Sequence, residues 1–350
     1  ILEDMPRLDW SGSCPSLLLE PSRTNSVTHS EYLNGIGWSG KIGVSFDTNV
    51  TTSPEGLENS ALLKEDSSNG SHFAYKDFNL TSGSTYTISI FAKANGVNRN
   101  LRFGDGGVGW SSGFNGGFDL TAGTATGGTI EPMGSGWYRC SVTGTTNATT
   151  SRLIVYSTLG GATSYQGDGT SGVYLYGFQI EQDATYPTSY IPTYGVSQTR
   201  LADFFDSNAD FTNFFGDNQG TIYIETDKRL FENLSANEEF IGFKDGTKYW
   251  RIIGSQSIIF IQCNNWGSTI LHYPSTTNPT KYLFKWDGSN VSFYIDGSLI
   301  GSATQTATFN PNQFGRTGNG VSMDSQELLN QFTIFPTALS DSECIALTKI

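Results

Sequence analysis

Two carboxylates set across a sugar ring would make a glycosidase, and the nearest approach to such a pair is Glu225-Thr-Asp227-Lys-Arg-Leu-Phe-Glu232. Arg229 and Leu230, two and three residues beyond Asp227, add no further acid. The segment therefore reads as a strand end with solvated charges. His29, His72 and His272 have no mutual spacing of a metal site or catalytic triad. Gly104-Asp-Gly-Gly-Val-Gly109 has the glycines of a phosphate loop but no Lys and no helical pattern after it, so a β-turn loop is expected. Cys14, Cys140, Cys263 and Cys344 lack zinc-site spacing. Pairing Cys14 with Cys140 and Cys263 with Cys344 would respect a two-domain split, but four separate buried thiols is the simpler expectation. No catalytic residue emerges, and the chain reads as a non-enzyme.

Binding chemistry has more to work with. A sugar is gripped by an aromatic ring under its apolar face and by planar polar groups at its hydroxyls. Trp110, with Arg102, Asp105 and Asn115 in a Gly-rich loop, is one such cluster. Tyr249-Trp250-Arg251 and Asn264-Asn265-Trp266 supply Tyr249, Trp250, Asn265 and Trp266 as a second. Trp250 alternates with Ile252, so Trp250 and Tyr249 face opposite sides and only one can be core.

The elements that would position these residues are strands. In Ser84 to Lys93, Tyr86, Ile88, Ile90 and Ala92 alternate with Thr87, Ser89 and Phe91, the period of a strand with one face on a core. Similar runs occur at Trp137 to Val142, Leu153 to Ser157, Val173 to Ile180, Gly220 to Thr226, Tyr249 to Ile253, Tyr282 to Trp286 and Val291 to Ile295. Asp296-Gly297 predicts a hairpin turn with two positive φ angles. Ser340 and Glu343 predict a capping box at the start of a short helix. Composition shifts at Tyr194 to Asp217, where Phe204, Phe205, Phe211, Phe214 and Phe215 are expected as an aromatic wedge between domains rather than a binding surface.

At 350 residues the chain exceeds one ordinary core. Charged residues are 15%, against about 25% in an average domain, and 41 Gly with many Ser, Thr and Asn suit short strands and turns. The fold class expected is all-β, two antiparallel β-sandwich domains in tandem. A net charge of −13 disfavours nucleic acid and anionic membranes, and no apolar run approaches the ~20 residues that cross a bilayer. Opening on Ile1 without a signal-peptide pattern, the sequence reads as part of a longer polypeptide.

Residues 6 to 27 resemble the opening of a jelly-roll module common in phage tail proteins. The resemblance continues through Tyr86-Thr-Ile-Ser-Ile-Phe-Ala-Lys93, Gly136-Trp-Tyr-Arg139, Gly172-Val-Tyr-Leu-Tyr-Gly-Phe-Gln-Ile-Glu181, Thr188-Ser-Tyr-Ile-Pro-Thr193 and Thr199-Arg-Leu-Ala-Asp203. The module is similar to carbohydrate-binding jelly rolls. Phe293-Tyr-Ile-Asp296-Gly297, Leu329 to Phe335 and Ala338 to Glu343 resemble a concanavalin-A-like or laminin-G-like domain. The implied domains are 1–205 and 206–350. The implied function is that of a virion tail component, a tail fibre, tail tip or adhesin, binding bacterial surface glycan outside the cell. Its expected partners are that glycan and other tail proteins, with a homotrimer as the assembly. A purely structural virion protein and the accessory region of a secreted polysaccharide-degrading enzyme are the alternatives. No cofactor is required. A structural Ca2+ is the ion such jelly rolls hold, with Glu20, Asp168 and Glu181 as acidic positions, against the simpler expectation that these carboxylates cap turns or pair with Arg23.

Overall fold

The computed structural model describes residues 8–9, 16–112, 114–201, 218–226, 238–245, 248–255, 258–264, 269–274, 280–304, 308–309, 313–315 and 327–349. The phenylalanines at 204–215, expected as an inter-domain wedge, and Asn265, Trp266, Asp227 and Glu232 lie outside them. The described residues are strands joined by turns, with one α-helix, Asp341–Thr348, and one short 3-10 turn, Leu33–Ile36. The chain is an all-β protein built from antiparallel sheets.

It divides into two compact units, Arg23–Arg200 and the combination of Ile1–Ser22 with Leu201–Ile350. This corrects the tandem division at 205. The strand Ser16–Leu19 pairs with Glu327–Phe335, Leu17 opposite Leu329, and so adds to the C-terminal sheet. One unit is thus inserted in the sequence of the other. Its two ends are joined by a short ladder, Arg23–Asn25 against Gln198–Arg200, extended by a bridge between His29 and Tyr194.

The inserted unit, Arg23–Arg200, is a sandwich of two seven-stranded sheets. One is ordered Trp110–Ser112, Trp137–Thr146, Thr85–Asn95, Gly172–Gln182, Ala61–Glu65, Val44–Thr48, with Thr129–Gly134 also on Trp137–Thr146. The other is ordered Thr124–Thr126, Gly116–Asp119, Arg99–Gly104, Thr150–Leu159, Asn69–Asn79, Ser164–Gln166, with Gly40–Ile42 also on Asn69–Asn79. Tyr86, Ile88, Ile90 and Ala92 do enter the core, where they meet Leu101, Phe103, Leu153 and Val155 of the facing sheet. Burying each such large side chain contributes about 1.5–3 kcal/mol.

A polar network lies within this sandwich. Arg99 makes a two-pronged contact with Glu65, Nε to Oε2 at 2.8 Å and Nη2 to Oε1 at 2.6 Å. The Tyr165 hydroxyl (2.7 Å) and the Asp168 amide (3.0 Å) also donate to Glu65. Burial opposes ionisation of Glu65, yet Arg99, the Asp168 amide and Tyr165 together outweigh it and hold the carboxyl below its usual range.

In the other unit a seven-stranded sheet is ordered Leu8–Asp9, Ser16–Leu19, Glu327–Phe335, Gly220–Thr226, Lys281–Trp286, Asn290–Ile295, Ser298–Thr304. A five-stranded sheet is ordered Thr269–Pro274, Ile258–Asn264, Lys248–Ser255, Glu238–Asp245, Gln313–Gly315. Trp250 joins the two layers, its ring 4.5 Å from Phe284 and 5.1 Å from Phe243. Asp296 and Gly297 have φ of 43° and 79°, as the hairpin requires. Ser340 and Glu343 form the capping box. Cys140 and Cys344 are free and buried, in different units, as separate thiols would be, and Cys140 forms no pair with Cys14.

Candidate functional site

The face of the sheet carrying Thr150–Leu159 that points away from the core follows from strand alternation. Phe103, Val155 and Ala74 point inward, so their neighbours Arg102, Tyr156 and Phe73 point outward. Register places these outward residues in one row across five strands: Gly117 opposite Arg102, Arg102 opposite Tyr156, Tyr156 opposite Phe73, and Phe73 opposite Ile42. A second row runs Gly104, Ile154, Tyr75, Gly40.

The rings form a platform. Phe73 lies 5.0 Å from Tyr156 and 6.3 Å from Tyr75, centroid to centroid. All three are partly exposed, and Ile42 at the end of the row is 49% exposed. Arg152 holds its guanidinium 4.5 Å over the Tyr75 ring. That arginine is fixed by Asp77, Nε to Oδ1 at 2.7 Å and Nη2 to Oδ2 at 2.9 Å. Glycines keep the floor low: a Cβ added at Gly117 would meet nothing within 4 Å, and one at Gly40 would strike the Tyr75 ring at 2.3 Å.

Arg102, Asp105 and Asn115 border this platform. Arg102 and Asp105 both act electrostatically on the Tyr156 hydroxyl. Burial raises that hydroxyl above its ordinary value, Arg102 opposes the rise and Asp105 adds to it, so Tyr156 stays a protonated donor at neutral pH. A Cβ built on Gly104 would lie 3.2 Å from Tyr156 and 3.6 Å from the Asn115 amide oxygen. Asp105 accepts the Gly107 amide at 2.8 Å, which shapes the expected β-turn loop.

Trp110 is not part of the face, which corrects its assignment as a sugar-binding ring. It is 8% exposed, stacked on Phe114 at 4.0 Å, and its indole N–H donates to the Arg152 carbonyl at 2.8 Å. The glycines of its loop do not expose it. Gly109 lies so tightly on the next strand that a Cβ there would stand 2.2 Å from the Thr150 carbonyl oxygen, and this close approach turns Trp110 inward. Trp250 is corrected likewise: it is fully buried between the sheets of its unit. Tyr249, on the other side of the strand, is partly exposed with Arg251 4.8 Å over its ring. Trp38 stacks on Phe46 at 5.3 Å against the core.

The three acidic positions weighed for calcium have other partners. Asp168 accepts from Thr170, Ser171 and Arg99, and Glu181 accepts the Thr188 amide at 3.0 Å and its hydroxyl. Glu20 is buried in the other unit. Among the described residues no group of three or more His, Cys, Asp or Glu side chains is arranged to hold a metal ion.

The outward face of the opposite sheet differs in being covered. Phe91, Trp137 and Tyr176 are buried there, Arg139 donates to the Thr188 carbonyl at 2.6 Å, and Trp137 donates to the Thr52 carbonyl at 3.1 Å. Tyr176 donates to Glu55 and Glu31, and Tyr194 donates to Glu31 at 3.0 Å. Burial and the nearby Glu55 raise the Glu31 carboxyl above its usual range, against the pull of its tyrosine hydrogen bonds.

Phe73, Tyr75 and Tyr156 went unrecognised at the sequence level. Their signal was phase: each is out of step with the apolar set Ala74, Val155 and Phe103, so each had to point outward.

No protein-family model matches the chain, and no curated protein matches it in sequence. Among solved structures it is similar to the Ruminococcus gnavus IT-sialidase CBM40 bound to alpha2,3 sialyllactose, at 17% identity over 41% of this chain and 91% of that one, TM-score 0.32. It is also similar to mouse laminin alpha1 chain domains LG4-5, at 11% identity over 79% of this chain and 88% of that one, TM-score 0.27. The LG1-3 region of the laminin alpha2 chain matches at 12% identity over 78% and 66%, TM-score 0.27.

Proposed function

We propose that the chain is a non-catalytic, lectin-like protein whose inserted sandwich binds carbohydrate on the platform of Phe73, Tyr75 and Tyr156. The observation that carries this reading is the open cross-strand row Arg102, Tyr156, Phe73. Rings on a rigid sheet suit the apolar face of a pyranose, while Asn115, Asp105 and the Tyr156 hydroxyl border it as hydroxyl partners. The ordered sequence signatures shared with phage tail jelly rolls favour a virion setting, a tail fibre, tail tip or adhesin acting on bacterial surface glycan outside the cell. A homotrimer among other tail proteins would multiply weak contacts, because linked sites raise the effective concentration of each next contact.

A glycan array and adsorption of labelled protein to bacterial cells test this reading. Phe73→Ala and Tyr156→Ala should each lower binding by at least about tenfold, since one stacked ring contributes about 1.5 kcal/mol or more. Tyr194→Ala, an exposed ring in the segment that follows the opposite sheet, should leave binding intact. Adsorption unchanged in the two platform variants would favour the purely structural virion role.

A further inference from the structure

The described arginines differ in one respect that bears on the ligand. Arg99 is held by Glu65, Arg152 by Asp77, and Arg139 by the Thr188 carbonyl and Ser89 hydroxyl. Arg23, Arg200 and Arg251 also have partners. Arg102 has neither hydrogen bond nor ion pair among the described residues and acts electrostatically on the Tyr156 hydroxyl. Asp105, the other charged group that acts on Tyr156, accepts the Gly107 amide of its own loop.

An unengaged guanidinium therefore stands beside the aromatic platform of a chain whose net charge is −13. A guanidinium presents parallel N–H donors that match a carboxylate in two-pronged fashion, and it does so poorly for a single hydroxyl. Arg152, fixed by Asp77, cannot offer the same fork without breaking an ion pair. From this we infer that the face selects carboxylate-bearing sugars, with Arg102 taking the carboxylate while Tyr156 and Phe73 carry the ring. The inference rests on the carbohydrate reading of the same face.

The test is calorimetric titration of the full chain with oligosaccharides ending in a hexuronic acid or a nonulosonic acid, each beside its carboxyl-reduced twin, in wild type, Arg102→Gln, Arg102→Lys and Tyr156→Ala. At least one acid is expected to bind about tenfold or more tighter than its reduced twin, the scale of a hydrogen bond to a charged group. Arg102→Gln should erase that difference, Arg102→Lys should restore only part of it, and Tyr156→Ala should abolish binding of both twins. The acid that shows the preference identifies the source of the carboxylate. Equal binding of both twins, lost in Tyr156→Ala, would overturn the acidic class and leave the carbohydrate reading standing. No binding by any compound, or binding indifferent to Tyr156→Ala, would overturn the carbohydrate reading of the face and the acidic class with it.

Discussion

Arg102 and Tyr156 are register partners on adjacent antiparallel strands, both on the outward face of the sheet, and Phe73 continues their row on the next strand. Three strands fix three side chains without a loop between them. Such a row is preorganised, and little conformational entropy remains to be lost when a ligand settles on it.

Trp110 separates packing from binding. Trp110→Ala should lower stability by about 3–5 kcal/mol, the cost of emptying a buried aromatic site. Thermal melting checks this, and glycan affinity per folded molecule should be unchanged. Weaker binding with unaltered melting would return Trp110 to the binding face.

Acid sensitivity follows from Glu65. Its carboxyl is held below its usual range in the folded state, so the stability it contributes is fully present above the ordinary glutamate pKa. That contribution is lost as pH falls through the depressed folded value. Asp168, lowered chiefly by the Ser171 hydroxyl and the Ser171 and Thr170 amides, acts in the same direction. Glu65→Ala should cost up to about 3–5 kcal/mol at neutral pH, because Arg99 loses its two-pronged buried partner and keeps only the longer contact with the more exposed Asp168. Chemical denaturation between neutral and strongly acidic pH should show the gap between wild type and variant closing in acid.

Glu31 has the opposite sign. Its carboxyl is raised on folding, so folding is favoured while it is protonated and the contribution disappears as pH rises through the raised value. Glu31→Gln should therefore melt no lower than wild type at neutral pH, and the variant's relative advantage should vanish below the carboxylate range. A variant that melts lower at neutral pH would show that the tyrosine hydrogen bonds to Glu31 outweigh its burial.

The inserted unit should fold alone. Its ends are paired by the ladder of Arg23–Asn25 with Gln198–Arg200, and each unit has its own core. A fragment of residues 23–200 should show one cooperative melt with native-like spectra. Deleting residues 1–19 should lower only the transition of the other unit, from whose sheet Ser16–Leu19 would be removed. A fragment that stays unfolded would show that the ladder does not close the unit.

Thiol accessibility offers a simple check on the cores. Burial pushes the Cys140 thiol up, and Cys344 is pushed up to about 11, also chiefly by burial. Neither should react with iodoacetamide at neutral pH until the protein is denatured. Rapid native labelling at either position would contradict the packing described.

Local chemistry made much of this architecture legible in the sequence. Asp296-Gly297 and Ser340 with Glu343 specify a turn and a cap through a few residues each, and the alternation of Tyr86, Ile88 and Ile90 specifies a core face. What escaped was non-local. Pairing of Ser16–Leu19 with Glu327–Phe335 links residues more than 300 apart, and nothing within either segment names its partner. The platform escaped because Phe73 and Tyr156 become neighbours only through register. Trp110 is misleading in sequence because a Gly-rich loop offers no sign of packing, whereas Gly109 serves close approach.

Hydroxyl-radical footprinting, read residue by residue with and without a saturating glycan from the array, meets the central claim head-on. Phe73, Tyr75 and Tyr156 should lose reactivity together when the glycan binds, while Tyr190 and Tyr194 keep theirs. Protection of Tyr190 and Tyr194 with the platform rings unchanged would place the binding surface on the other side of the sandwich and contradict the account.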